Sequence, residues 1–202
     1  LATVSVERDD DGLVRPSTAH RAVTLSYEPG SIIKPLTFSA LLDAGLAEPD
    51  TVREVPYRIH VHDSDFTDSS PHENEEWTVA EIVRRSSNVG TILWAQEAGA
   101  TTLHTKLVDF GLGQATGLGF PGEADGILLP VAKWSGTSLP TIAIGQGVAT
   151  TPLQMLTSYA TLANRGFRPA PILVLGMRDD GGVFESFANN VGRRVVSEAT
   201  AK

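Results

Sequence analysis

The sequence predicts a mixed α+β domain built around one buried helix, and three observations carry that reading. Residues 31–46 hold Ile32, Ile33, Leu36, Phe38, Ala40, Leu41, Leu42, Ala44 and Leu46, with apolar side chains on nearly every helical face. That pattern belongs to a helix enclosed by core. Further apolar segments with helix-start signals follow at 78–98, 102–110 and 151–163. Stretches at 1–8, 54–62 and 172–187 alternate in polarity or flank turns, and read as strands.

The composition narrows the class. A chain of 202 residues holds one domain, or a domain with a subdomain, and 41% hydrophobic residues support a packed core. The net charge of −8 and the lack of a Lys/Arg cluster argue against a nucleic-acid partner. Twenty of the 24 acids precede Gly126, and none lies between Gly126 and Arg178. Without cysteine there are no disulfides and no thiolate metal sites. No apolar run approaches the roughly 18–20 residues that span a bilayer, and no signal peptide is visible. The chain opens mid-strand at Leu1 without a start methionine, so it reads as part of something longer.

In chain order, residues 1–8 form a strand that ends in the acidic turn Asp9-Asp10-Asp11-Gly12, and 13–27 is a loop. Residues 54–62 form a short strand, followed by a polar surface loop over 63–76. His60, His62, Asp63, Asp65 and His72 lie close enough in sequence to suggest a divalent-metal site, but a solvated acidic loop explains them more simply. Thr78 and Glu81 form a capping box that opens a helix. A second apolar helix runs from Val89 to Ala98, so Ser86-Ser87-Asn88 is the connection between two helices. Thr102 caps a further helix that Gly111 ends. Gly117 to Gly122 matches Gly-x-Gly-x-x-Gly but follows a helix, contains Pro121 and has no acid about 20 residues on, so it is a turn-rich loop and not a nucleotide site. Thr151-Pro152 starts a helix that Asn164-Arg165-Gly166 ends. Asp179-Asp180-Gly181-Gly182 turns a hairpin, and Ser197 caps a last helix.

The chemistry centres on Glu28-Pro29-Gly30-Ser31-Ile32-Ile33-Lys34-Pro35. Pro35 must fall in the first helical turn, which puts Ser31 at the helix start. Lys34 is the only Lys or Arg between Arg21 and Arg53. A lone cation there is opposed by the helix N-terminus and by burial, and both lower its pKa. Three residues apart, the amine and the Ser31 hydroxyl share a face, so a neutral Lys34 can take the serine proton. An N-cap serine followed by a lysine snorkelling to solvent fits the same four residues.

A second serine motif, Ser86-Ser87-Asn88, lies 55 residues beyond Ser31. Together the two resemble the motifs of the penicillin-binding protein transpeptidases. The segments 27–35, 86–90, 110–113, 145–147 and 151–164 are similar to further family segments in the family's order, most of all to those of the monofunctional class B enzymes. The family's third motif, Lys-Thr/Ser-Gly, is absent. Lys133-Trp134-Ser135-Gly136 echoes it with an extra residue and in the wrong order. The expectation is that 1–202 is a partial transpeptidase domain, lacking the C-terminal sheet strands and that motif, and inactive alone.

The resemblance implies an antiparallel sheet flanked by helices, with a helical subdomain bordering the active site. It implies a peptidoglycan D,D-transpeptidase with Ser31 as nucleophile and Lys34 as its base. Ser86 relays a proton to the leaving amine, and Asn88 holds Lys34 and meets the substrate amide. No cofactor is implied. The implied partners are D-Ala-D-Ala stem peptides, β-lactams and membrane-bound division or elongation proteins. The implied location is the extracytoplasmic face of the cell membrane, with an N-terminal anchor outside this chain. A serine β-lactamase or D,D-carboxypeptidase on the same fold, and a non-catalytic cell-wall interaction module, stay open as alternatives.

Overall fold

The computed structural model describes residues 5–17, 19–187 and 192–202. The elements run β1 (Ser5–Arg8), β2 (Val14–Ser17), α1 (Arg21–Thr24), a 3-10 turn (Gly30–Ile33) and α2 (Lys34–Asp43). There follow β3 (Val52–Val55), β4 (Arg58–Val61), β5 (Ser64–Thr67), β6 (Glu75–Thr78), α3 (Val79–Arg85), α4 (Asn88–Ala98) and α5 (Ala100–Phe110). A 3-10 turn (Val131–Lys133) leads to α6 (Ser138–Ala143), α7 (Pro152–Ala163), β7 (Phe167–Arg168), β8 (Gly176–Arg178), β9 (Phe184–Ser186), β10 (Arg193–Arg194) and α8 (Glu198–Ala201).

The mixed class and the antiparallel pairing stand. Among the described residues the strands form five antiparallel pairs, β1–β2, β3–β6, β4–β5, β7–β10 and β8–β9, and no broader sheet. An isolated pair is marginal in water. The β3–β6 pair is anchored because it buries Val55 and Trp77 against α2, α3 and α4.

Helix α2 explains its own all-round apolarity. Ile33, Leu36 and Ala40 face one core cluster, with Leu103, Leu107, Phe110, Ile142, Met155 and Val196. Phe38 and Leu41 face a second, with Val55, Trp77, Ile82, Val89 and Trp94. Each fully buried Leu or Ile contributes about 1.5–3 kcal/mol, so α2 is held from both sides. Its far end is tied as well. Asp43 Oδ2 accepts from Lys106 Nζ of α5 at 2.6 Å, and Asp43 Oδ1 accepts from the Ser197 N–H ahead of α8 at 2.7 Å.

Several local expectations are corrected. Residues 13–27 are not all loop, because β2 pairs with β1 and α1 follows. The strand over 54–62 is two strands that belong to different pairs, split at Pro56, which has no N–H to donate. The polar loop over 63–76 contributes β5 and the start of β6; β5 turns back on β4 through His62, whose φ is 58°. Helix α5 starts at Ala100 and not after Thr102. Gly99, at φ 81°, ends α4 and caps α5 at once, a backbone state that suits glycine. Strand β8 is confined to Gly176–Arg178, and the start of the expected first strand, 1–4, lies outside the described residues.

The predicted caps are mostly present. Thr78 Oγ1 accepts from Glu81 N–H at 3.1 Å, but the Glu81 carboxylate turns to Arg84 and Arg85, leaving the box half made. Thr151 forms a full box with Gln154, and Ser197 caps α8.

Candidate active site

Ser31 sits in the 3-10 turn and is exposed, one turn earlier than a plain α-helix start would place it. Backbone contacts from the 145–151 segment hold this turn. Gly30 N–H donates to Gly145 O at 2.9 Å, and Gly147 N–H donates to Glu28 Oε1 at 2.8 Å. Tyr27 pairs with Thr150, and the Tyr159 hydroxyl of α7 donates to Ile32 O at 2.8 Å. Gly145 has φ 88°, and a Cβ there would lie 2.0 Å from Gly30 O. Only glycine lets the two chains approach this closely.

Lys34, at 2% exposure, is buried beneath that turn. Its Nζ donates to Ser86 O, to Ser86 Oγ at 3.1 Å and to Asn88 Oδ1 at 2.8 Å. Burial lowers its pKa from 10.5 to about 8, against the opposing pull of the Asp68 carboxylate. At pH 7 about one such amine in ten is neutral, against about one in three thousand at 10.5.

The fold therefore brings Lys34, Ser86 and Asn88 together across more than fifty residues of chain. It does not form the expected Ser31–Lys34 hydrogen bond: among the described residues none joins them, and the three ammonium donors are all used on the Ser86–Asn88 side. On losing a proton, the amine can keep two of those donations and turn its lone pair to the Ser86 hydroxyl. The arrangement suits proton transfer between Lys34 and a hydroxyl at neutral to mildly alkaline pH.

The connection between α3 and α4 aims these groups. Ser86 ends α3 at φ 54° and ψ 40°, a left-handed cap that turns its carbonyl to Lys34. Ser87 caps α4 by accepting from Gly90 N–H at 2.8 Å. Asn88 Nδ2 donates to Thr67 O at 3.0 Å, which fixes its amide with the oxygen toward Lys34.

The sequence reading missed Asp68, a carboxylate only 7% exposed under this loop. Its one signal was its place in the 63–76 stretch, where it is one acid among six. The residues considered for a metal stay apart. His60 pairs with Asp65, His62 with Asp63, and His72 with Asp68. Among the described residues no three His, Asp or Glu side chains converge. Lys133 ends a 3-10 turn rather than lying on a strand, and Gly136 is packed under the His62 ring.

The whole chain also matches a family model. The model for the penicillin binding protein transpeptidase domain matches residues 1–202. The chain belongs to that family. Among relatives of this transpeptidase domain, the penicillin-binding protein PbpB of Mycolicibacterium smegmatis is 38% identical over 181 residues, 90% of this chain and 28% of the relative. The peptidoglycan D,D-transpeptidase FtsI of Escherichia coli is 33% identical over 163 residues, 80% of this chain and 27% of the relative. The crystal structure of penicillin-binding protein 3 from Mycobacterium tuberculosis in complex with aztreonam matches with a TM-score of 0.87 and 35% identity, covering 92% of this chain and 42% of that one. The chain thus spans under a third of the two curated relatives' lengths. No helix among the described residues is long and apolar enough to cross a membrane.

Proposed function

We propose that this chain carries the nucleophile-bearing part of a class B peptidoglycan D,D-transpeptidase. The observation that carries the reading is the buried Lys34 amine, one turn from an exposed Ser31 and gripped by Ser86 and Asn88. Ser31 Oγ attacks the carbonyl of the penultimate D-Ala of a stem peptide. The Oγ–C bond forms, the C–N bond to the terminal D-Ala breaks, and the serine proton passes through Lys34 and Ser86 to the leaving amine. The amine of a second stem peptide then attacks the ester, and Ser31 regains a proton as the cross-link forms. The Ser31 N–H, at the open start of the 3-10 turn, is a donor for the developing oxyanion. β-Lactams acylate Ser31 by the same route: the Oγ–C bond forms, the lactam C–N bond breaks, and the released amine stays tethered to the acyl group through the opened ring.

Residues 1–202 form part of the domain in this reading, and the Lys-Thr/Ser-Gly motif comes from chain outside them. The fraction of the relatives spanned and the lack of that motif in the sequence support it. The isolated segment is expected to acylate very slowly or not at all, since losing one oxyanion donor alone costs about 10²–10³ in rate. The complete protein works at the extracytoplasmic membrane face, held by a preceding anchor, beside division or elongation proteins. The test is covalent labelling of the complete protein by a fluorescent penicillin. Ser31→Ala is expected to abolish labelling with the melting temperature unchanged; retained labelling moves the nucleophile elsewhere and ends this reading.

A further inference from the structure

Asp68 takes no part in the steps above, yet it is a buried carboxylate with three partners beside them. It follows β5 directly. Its Oδ2 accepts from Ser87 Oγ at 2.7 Å and lies 3.1 Å from His72 Nε2, and its Oδ1 accepts from Val89 N–H at 2.9 Å. Thr67, the residue before it, takes the Asn88 amide. One dipeptide thus fixes Ser87, Asn88 and Val89 in succession. The His72 ring is set in turn against Trp77, with centroids 4.5 Å apart.

Burying a carboxylate costs several kcal/mol unless partners offset the loss of water. Capping alone does not call for one here, because Ser87 already caps α4. What the carboxylate adds is a fixed Ser87, and so a fixed left-handed Ser86 beside it. We propose that Asp68 is a positioning residue for acyl transfer, holding through Ser87 and Val89 the loop whose Ser86 and Asn88 grip Lys34. The proposal rests on the reading of Ser31 and Lys34 given above.

Asp68 also acts on Lys34 by its charge. Burial lowers the Lys34 pKa and Asp68 raises it. The groups brought by the α3–α4 connection, Ser86 and Asn88, are uncharged. His72 faces Asp68, Glu81 pairs with Arg84 and Arg85, and Glu28 accepts from Gly147 N–H. Removing the Asp68 charge therefore leaves burial less opposed, and the Lys34 pKa falls further.

The test is the rate of acylation by a fluorescent penicillin across pH, in the complete protein. For Asp68→Asn the high-pH plateau is expected to fall, on the order of 10²-fold for a misplacement near 1 Å. Its acid limb is expected to move to lower pH. Ser87→Ala keeps the charge, so its plateau should fall with the limb unmoved. A folded Asp68→Asn with an unchanged plateau, or a lower plateau with an unmoved limb, overturns the proposal. If Asp68→Asn does not fold, an unchanged plateau in Ser87→Ala overturns it. Labelling that survives in Ser31→Ala is a separate result, because it overturns the functional reading on which the proposal rests.

Discussion

The two sides of the site are held by different forces. The Ser31 turn is fixed mainly by close backbone approach, Gly30 against Gly145 and Tyr27 beside Thr150, with the Glu28 carboxylate accepting from Gly147 N–H. The Ser86–Asn88 loop is fixed by side-chain hydrogen bonds to a buried carboxylate and to Thr67. Shape governs the first side and polar satisfaction the second. A shape-held turn fails abruptly when an atom is added, because packed backbone has no room to yield. A polar network fails when a partner is removed, because the group left behind stays buried and unpaired.

Lys34 joins the two sides, so its removal gives the largest effect. Lys34→Met is expected to slow acylation by about 10²–10⁴-fold. In the unsubstituted protein the rate should rise with pH and level off above about 8, where the amine becomes neutral. The Met variant should show no such limb. A Met variant that keeps both rate and limb would assign the base elsewhere. Gly145→Ala tests the shape-held side. The added carbon meets Gly30 O at 2.0 Å and φ is 88°, so a loss of about 2–3 kcal/mol is expected in urea unfolding, together with slower labelling. If the midpoint does not move, close approach is not what holds the turn. Thr78→Ala gives the smallest effect. It removes the cap of α3, whose other end carries Ser86, and should cost about 1 kcal/mol with little change in labelling. A large labelling defect there would mean that α3, and not Asp68, sets the loop.

Both serine motifs were legible in the sequence because their rules are local. Pro35 fixes the helix start next to Ser31, and the Thr78 cap with the apolar run after Asn88 leaves Ser86-Ser87-Asn88 between helices. Asp68 was not legible. A buried acid and a solvated one look alike in a stretch with five other acids, and its burial is decided by where β5 meets α4. The same held for β2 and β5. Their short, largely polar stretches give no alternation to read, because each pairs with a single neighbour and no described residue of either is fully buried. The contact of Gly30 with Gly145 spans 115 residues and has no local signature at all.

Helix α2 is a wall shared by two cores, and it also acts as a lever. Ten helical residues measure about 15 Å. A tilt of about 4° at the Asp43 end therefore carries the Ser31 turn through about 1 Å, the scale on which acyl transfer loses about 10²-fold. Lys106 and Ser197 clamp that end. Lys106 of α5 and Ser197 ahead of α8 thus hold the Ser31 turn in place from the far end of the helix, and wear at the handle is felt at the tip.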